Sequence, residues 1–193
     1  MKLFLLFMLI SLTSFAQGVS NPEPTGIELD DEVIFLQILK EFAQESRKEG
    51  LYIDHHISKD LGAIRILTPT EMERIDKRFS PTYKAAGITY LEVRYDILGY
   101  WHRTPIIGIR SDMMFYEYKL IKMIIYHELG HFFGVDHLET EEELAQYEFH
   151  VMCPVLTKDN IKKTLTDEAM KDYWKMIRES YHKKRWKRMS NNT

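Results

Sequence analysis

The stretch His127-Glu128-Leu129-Gly130-His131-Phe132-Phe133-Gly134-Val135-Asp136-His137 constrains this chain more than any other. On an α-helix, residues four apart lie one above the other on the same face. His127 and His131 can therefore aim imidazole nitrogens at one ion, at about 2.0–2.1 Å each if it is zinc. Glu128 stands about 100° further round the helix. It can reach a water on such an ion without being a ligand itself. His137 can supply a third ligand only if the chain turns back. Gly134 is placed to end the helix with a positive φ, which most residues resist. A chance match of all five fixed positions somewhere in the chain is below about one in ten thousand.

Three protein ligands and one open position describe a zinc site that does chemistry; a structural zinc is normally closed by four. The expected cofactor is thus a single catalytic Zn2+, with His127, His131 and His137 as ligands and Glu128 as the general base. The chain has one cysteine, Cys153. It cannot form an internal disulfide, and no upstream cysteine can plug the metal site. The formal charge of −3 gives no nucleic-acid footprint, and no nucleic-acid partner is expected. With 193 residues, 45% of them hydrophobic, the chain suits one domain with its own core, and a monomer is expected.

Lys2, the apolar run Leu3–Ile10 and the small-residue exit at Ala16 read as a signal peptide over 1–16. The run is shorter than the roughly 20 apolar residues a bilayer span requires. Export to the periplasm or the extracellular space is the expectation. Residues 17–29, with Pro22, Pro24 and Gly26, read as a flexible leader. The catalytic domain is then 30–193. Glu32 to Lys48 predicts an amphipathic helix, acidic at its start and basic at its end. Strands are predicted over Leu51–Ile57, Ala63–Leu67, Ile88–Tyr95, Ile97–His102 and Pro105–Arg110. A second long helix is expected over Met113–Gly134. Thr140–Glu143 has the form of a capping box, and Thr166-Asp167-Glu168 opens a last helix to about Arg188. Helix, grouped strands, helix and helical tail make an α+β domain.

At these residues the chain resembles the metzincin metallopeptidases, whose signature is HExxHxxGxxH. His150-Val151-Met152-Cys153-Pro154 is similar to their methionine turn, with Met152 as its methionine. The resemblance implies a twisted mixed sheet with two long helices above a cleft, over 30–137. It also implies a small helical C-terminal subdomain below, over 138–193. Leu138 follows the third histidine, and no tyrosine stands two residues beyond Met152, which points to a small bacterial-type member of no named family.

The implied activity is hydrolysis of peptide bonds in a peptide or protein substrate. His102, Tyr100 and Tyr147 are candidate extra donors to the oxyanion. An extended peptide would add to a free sheet edge, expected around Ile97–His102, with residues 153–163 walling a side-chain pocket. Two other readings fit the same residues: an inactive zinc-stabilised protein that captures peptides, and a zinc hydrolase of a non-peptide amide. The intact Glu128 speaks against the first. His55-His56 is not expected to bind metal, since neighbours on a strand point to opposite faces. The basic end Lys183–Arg188 reads as a solvated helix terminus, with contact to an anionic membrane surface as its alternative.

Overall fold

Phe35, Ile38 and Phe42 recur at helical spacing, and the computed structural model puts all three on the buried face of one helix, α1, Asp31–Lys48. The structure describes residues 31–76, 85–95, 101–138, 140, 142, 150–153 and 163–190; for 94, 95, 101, 102 and 184–190 it describes the backbone alone. The expected signal peptide and leader therefore lie outside the described residues. So do most of the Thr140–Glu143 capping box, Tyr100, Tyr147, Pro154 and the side chain of His102.

After α1 come α2 (Asp54–Asp60), β1 (Ala63–Leu67), α3 (Pro69–Ile75), β2 (Gly87–Tyr95) and β3 (Trp101–Arg110). A short 3-10 turn, Ser111–Phe115, precedes α4 (Tyr118–Phe133), and α5 is Asp167–Ser190. Among the described residues this is a small α+β fold of five helices and a three-stranded mixed sheet. No described helix is long and apolar enough to cross a membrane.

The strand order is β1-β3-β2, with β1 parallel and β2 antiparallel to β3. The α4 face of the sheet presents Ile107 and Ile109, both fully buried in the main core. The other face packs Leu67, Ile88 and Met72 of α3 into a second, smaller cluster. The main core is aromatic where α1, α4 and α5 meet. The Phe42 ring lies 4.9 Å from Tyr126, 4.8 Å from Trp174 and 6.1 Å from Phe133. Burying one such ring contributes roughly 1.5–3 kcal/mol. The α5 helix is tied to α4 by the Tyr173 hydroxyl, which donates to the Tyr126 carbonyl. Ser180 Oγ donates to the Gly134 carbonyl at 2.7 Å.

Three expectations are corrected. Residues 51–57 are not a strand: Leu51 and Ile53 are buried in an irregular segment, and α2 begins at Asp54. Ile53 and Ile57 are four apart, the helical spacing, and both face the core. Ile97–His102 and Pro105–Arg110 are not two strands either, because β3 is continuous from Trp101 to Arg110. Pro105 survives inside it for a geometric reason. Its carbonyl accepts from Gly62 N at 2.8 Å, so its missing N–H faces the same side. The pairing with β1 starts only at Ile106, so no ladder bond is lost there. Finally, the second long helix starts at Tyr118 rather than Met113, which lies in the 3-10 turn.

The sequence reading also passed over α3. Thr68 caps it, accepting from Glu71 N while the Glu71 carboxylate accepts from Thr68 N, and Pro69 opens the first turn. Thr68-Pro69-Thr70-Glu71 carries both signals in plain sight.

Candidate metal centre

The last turns of α4 carry His127 and His131 on one face, and the chain reverses at Gly134 with φ 88° and ψ 25°. The Val135 amide donates back to the Gly130 carbonyl at 2.9 Å, closing a Schellman-type end. Two residues later His137 returns to the helix. The three Nε2 atoms lie 3.2 Å (His127 to His131), 3.0 Å (His131 to His137) and 2.9 Å (His127 to His137) apart. Among the described residues this is the one group of three or more such side chains close enough to hold a metal.

The protons of two of these rings are assigned by their partners. His127 Nδ1 lies 2.7 Å from the Val151 carbonyl, and His131 Nδ1 lies 2.8 Å from the Val135 carbonyl. A carbonyl can only accept, so each Nδ1 carries the proton and each Nε2 of the neutral ring is a bare lone pair. Burial favours that neutral form. It pulls His127 down to about 3, with the neighbouring histidines adding to the effect, and it lowers His131 as well. Lone pairs converging at this separation repel unless something electropositive lies among them. A nitrogen triangle of this size can sit about 2.0–2.1 Å from one ion. The donor set is therefore fit to bind a metal ion, and the backbone carbonyls behind it fix the ring tautomers.

Glu128 projects from α4 toward β2 and is buried. A Cβ on Gly87 would stand 2.7 Å from Glu128 Oε1, so that residue leaves the space the carboxyl occupies. Thr89 Oγ1 lies 2.7 Å from Glu128 Oε2 and 3.0 Å from the Glu128 carbonyl oxygen. The hydroxyl has one proton and cannot donate to both. Both contacts are satisfied when the carboxyl is protonated: it donates to Thr89 while Thr89 donates to the carbonyl. Burial acts in the same sense, pushing the Glu128 pKa up to about 8, with the Thr89 bond opposing it.

The segment 150–153 underlies the site. Val151 holds His127, Met152 N donates to His150 Nδ1 at 3.0 Å, and Leu138 N donates to the Met152 carbonyl at 3.3 Å. Met152 is fully buried against Gly130, where a Cβ would lie 2.4 Å from its sulfur. Cys153, the chain's one cysteine, is buried in the same turn.

Thr89 and the carbonyls of Val135 and Val151 were not read from the sequence, and a single threonine or a peptide carbonyl leaves no mark there. The free edge beside α4 belongs to β2, which pairs on one side only among the described residues; Trp101 and His102 lie in the central strand instead. Of the wall expected over 153–163, only Cys153 and Lys163 fall within the described residues. His55 and His56 sit on α2, with ring centroids 3.8 Å apart, and do not join a metal-binding group. Compared with known proteins, the chain matches no family model, no curated protein and no solved structure.

Proposed function

We propose that this chain is an exported, zinc-dependent endopeptidase of the metzincin type. The observation that carries the reading is the convergence of three imidazole Nε2 atoms within 3.2 Å, two of them with their Nδ1 protons committed to carbonyls. The spacing of the signature, the αL glycine that ends the helix, and Met152 packed beneath it support the same reading. The start of the chain, Lys2 through Ala16, supports export.

His127, His131 and His137 would hold the ion. A dication there would polarise a carbonyl, acidify water and favour the ionised form of Glu128 by its charge. Glu128 accepts a proton from the attacking water as its oxygen adds to the scissile carbonyl carbon. It returns that proton to the amine nitrogen as the C–N bond breaks. Thr89 orients the carboxyl throughout, and Gly87 leaves it room. The free edge of β2 offers main-chain hydrogen bonds to an extended peptide.

A second reading rests on Glu128 itself. A buried carboxyl anchored to Thr89 also suits a metal-stabilised protein that binds peptides and cleaves none. One experiment separates the two: zinc content and cleavage of a peptide library by wild type and Glu128→Gln, with and without chelator. The expectation is one zinc per chain in both proteins, cleavage by wild type abolished by chelator, and a loss of about 10²–10⁴-fold in Glu128→Gln. A Glu128→Gln protein that cleaves at the wild-type rate overturns the mechanism. Stoichiometric zinc without cleavage selects the binding reading.

A further inference from the structure

A cavity of about 1090 Å³ opens beside the histidine cluster, with His131 on its wall. The same wall carries a hydrogen-bonded chain that the metal centre does not use. Asp60 Oδ2 lies 2.9 Å from His56 Nδ1, and His56 Nε2 lies 2.8 Å from the Tyr181 hydroxyl. All three residues line the cavity. They join α2 to α5, and both ends are fixed. Asp60 stands one helical turn from His56 on α2. Next to Tyr181, Ser180 Oγ donates to the Gly134 carbonyl at 2.7 Å. The Tyr181 ring meets His56 edge-on, with centroids 5.3 Å apart.

The carboxylate decides the direction of each bond. It can only accept, so the neutral His56 ring carries its proton on Nδ1 and accepts on Nε2. The Tyr181 hydroxyl is then the donor. A phenol has one proton, so its oxygen turns only lone pairs to the cavity. A second proton, taken from solvent by His56, reverses the last bond. Nε2–H then donates, the Tyr181 oxygen accepts, and the phenolic proton rotates away from His56 to donate into the cavity. The chain also loses its net negative charge, which favours the same ligand groups that the released proton favours.

Other charged and titratable groups surround His56, and none is a link in this chain. On α2, the His55 ring centroid is 3.8 Å away, and Lys59 is exposed on the cavity wall. Arg47 of α1 pairs with Asp54 at the start of α2. On α5, His182 follows Tyr181, and Arg178 donates to the Glu49 carbonyl. Tyr90 of β2, Arg103 of β3 and His131 of α4 complete the titratable lining among the described residues.

We propose that the cavity is a ligand site whose hydrogen-bonding preference is set by the protonation of His56. With His56 neutral it suits an N–H or ammonium group; with His56 charged it suits a carbonyl or carboxylate. No step passes through the metal-binding histidines, so the site stands apart from the peptidase reading. NMR of the full-length protein with isotope-labelled histidine and tyrosine tests it. The neutral His56 ring should carry its proton on Nδ1. As the pH falls and that ring takes its second proton, the Tyr181 Cζ resonance should move with it, upfield, as the oxygen turns from donor to acceptor.

Acetate and methylammonium are the binding probes. The histidine cluster can take acetate too, so binding is measured against Tyr181→Phe, which keeps that cluster and the His56 charge. In excess of that reference, acetate should gain about two- to tenfold when His56 becomes charged, and methylammonium should lose a similar factor. His56→Gln accepts the Tyr181 proton at any pH and should abolish the response, whereas His55→Gln should retain it; circular dichroism checks that the variants are folded. A neutral His56 with its proton on Nε2 overturns the proposal, as does a Tyr181 resonance that ignores the His56 titration. Equal responses in wild type and Tyr181→Phe also overturn it, leaving charge alone as their cause.

Discussion

Gly130 stands between the two helix-borne histidines, and the space a side chain would take there is filled by the Met152 sulfur, with a Tyr173 ring atom 3.4 Å from the same point. The residue before Met152, Val151, holds His127 by its carbonyl, so the packing of this methionine and the aim of the His127 ring share one short turn. An added methyl has two opposite effects. Alanine is the better helix former by about 1 kcal/mol. Overpacking a buried contact of this kind costs about 1–3 kcal/mol, and Met152 has no solvent to move into, being 0% exposed. Gly130→Ala is expected to destabilise the protein by up to about 2 kcal/mol in denaturant unfolding. The same change in a Met152→Ala background is expected to be neutral or stabilising, because only the helix gain remains. A double-mutant cycle measures the difference, and equal costs in the two backgrounds would exclude the contact as their cause.

At the scale of elements, the end of α4 decides whether the third histidine comes home. Gly134 adopts φ 88°, a left-handed conformation that costs an L-residue about 1–2 kcal/mol. Gly134→Ala should lower the stability of the metal-free protein by about 1 kcal/mol. If the three histidines hold zinc as proposed, it should also weaken that binding, since His137 hangs on the turn that follows. Gly134→Asn should lie between the two, because asparagine tolerates this region better. Competition titration against a chromophoric chelator reads the affinity, and an unchanged value in Gly134→Ala would separate the turn from the ligand. This turn was legible in the sequence because the helical spacing of His127 and His131 and the glycine before His137 are strictly local signals. So were α1 and the strand at 63–67. The parts that escaped are those decided by distant neighbours. Leu51–Ile57 has β-like composition, yet Ile53 and Ile57 face a core supplied by α1 and α4. Pro105 looks like a break, and only the late start of β1 alongside it makes it harmless. Thr89 is an ordinary strand threonine until β2 is laid against Glu128, 39 positions away.

At the scale of the molecule, the histidine cluster gathers segments that also meet in the main core. The Phe42, Tyr126, Tyr173 and Trp174 rings join α1, α4 and α5, and the same core takes in Val135 and Leu138 of the return to His137 and Val151 and Met152 of the turn at 150–153. Hydrogen bonds add to this packing: Ser180 Oγ donates to the Gly134 carbonyl, the Val151 carbonyl accepts from His127, and Leu138 N donates to the Met152 carbonyl. An ion shared by His127, His131 and His137 would add a cross-link between α4 and that return, present in the folded chain and absent from the unfolded one. Its contribution follows from mass action: free zinc at a thousand times its dissociation constant stabilises the fold by about 4 kcal/mol. For a chain of this size each kcal/mol moves the melting temperature by about 2–4 °C. Chelation should therefore lower Tm by roughly 8–16 °C at such saturation, and added zinc should restore it. His131→Ala removes one ligand from a partly exposed position and should melt near the chelated wild type, with a Tm that no longer responds to zinc. Scanning calorimetry of both proteins across a zinc titration decides the matter: a wild-type Tm indifferent to zinc would mean that these three rings hold no ion in solution.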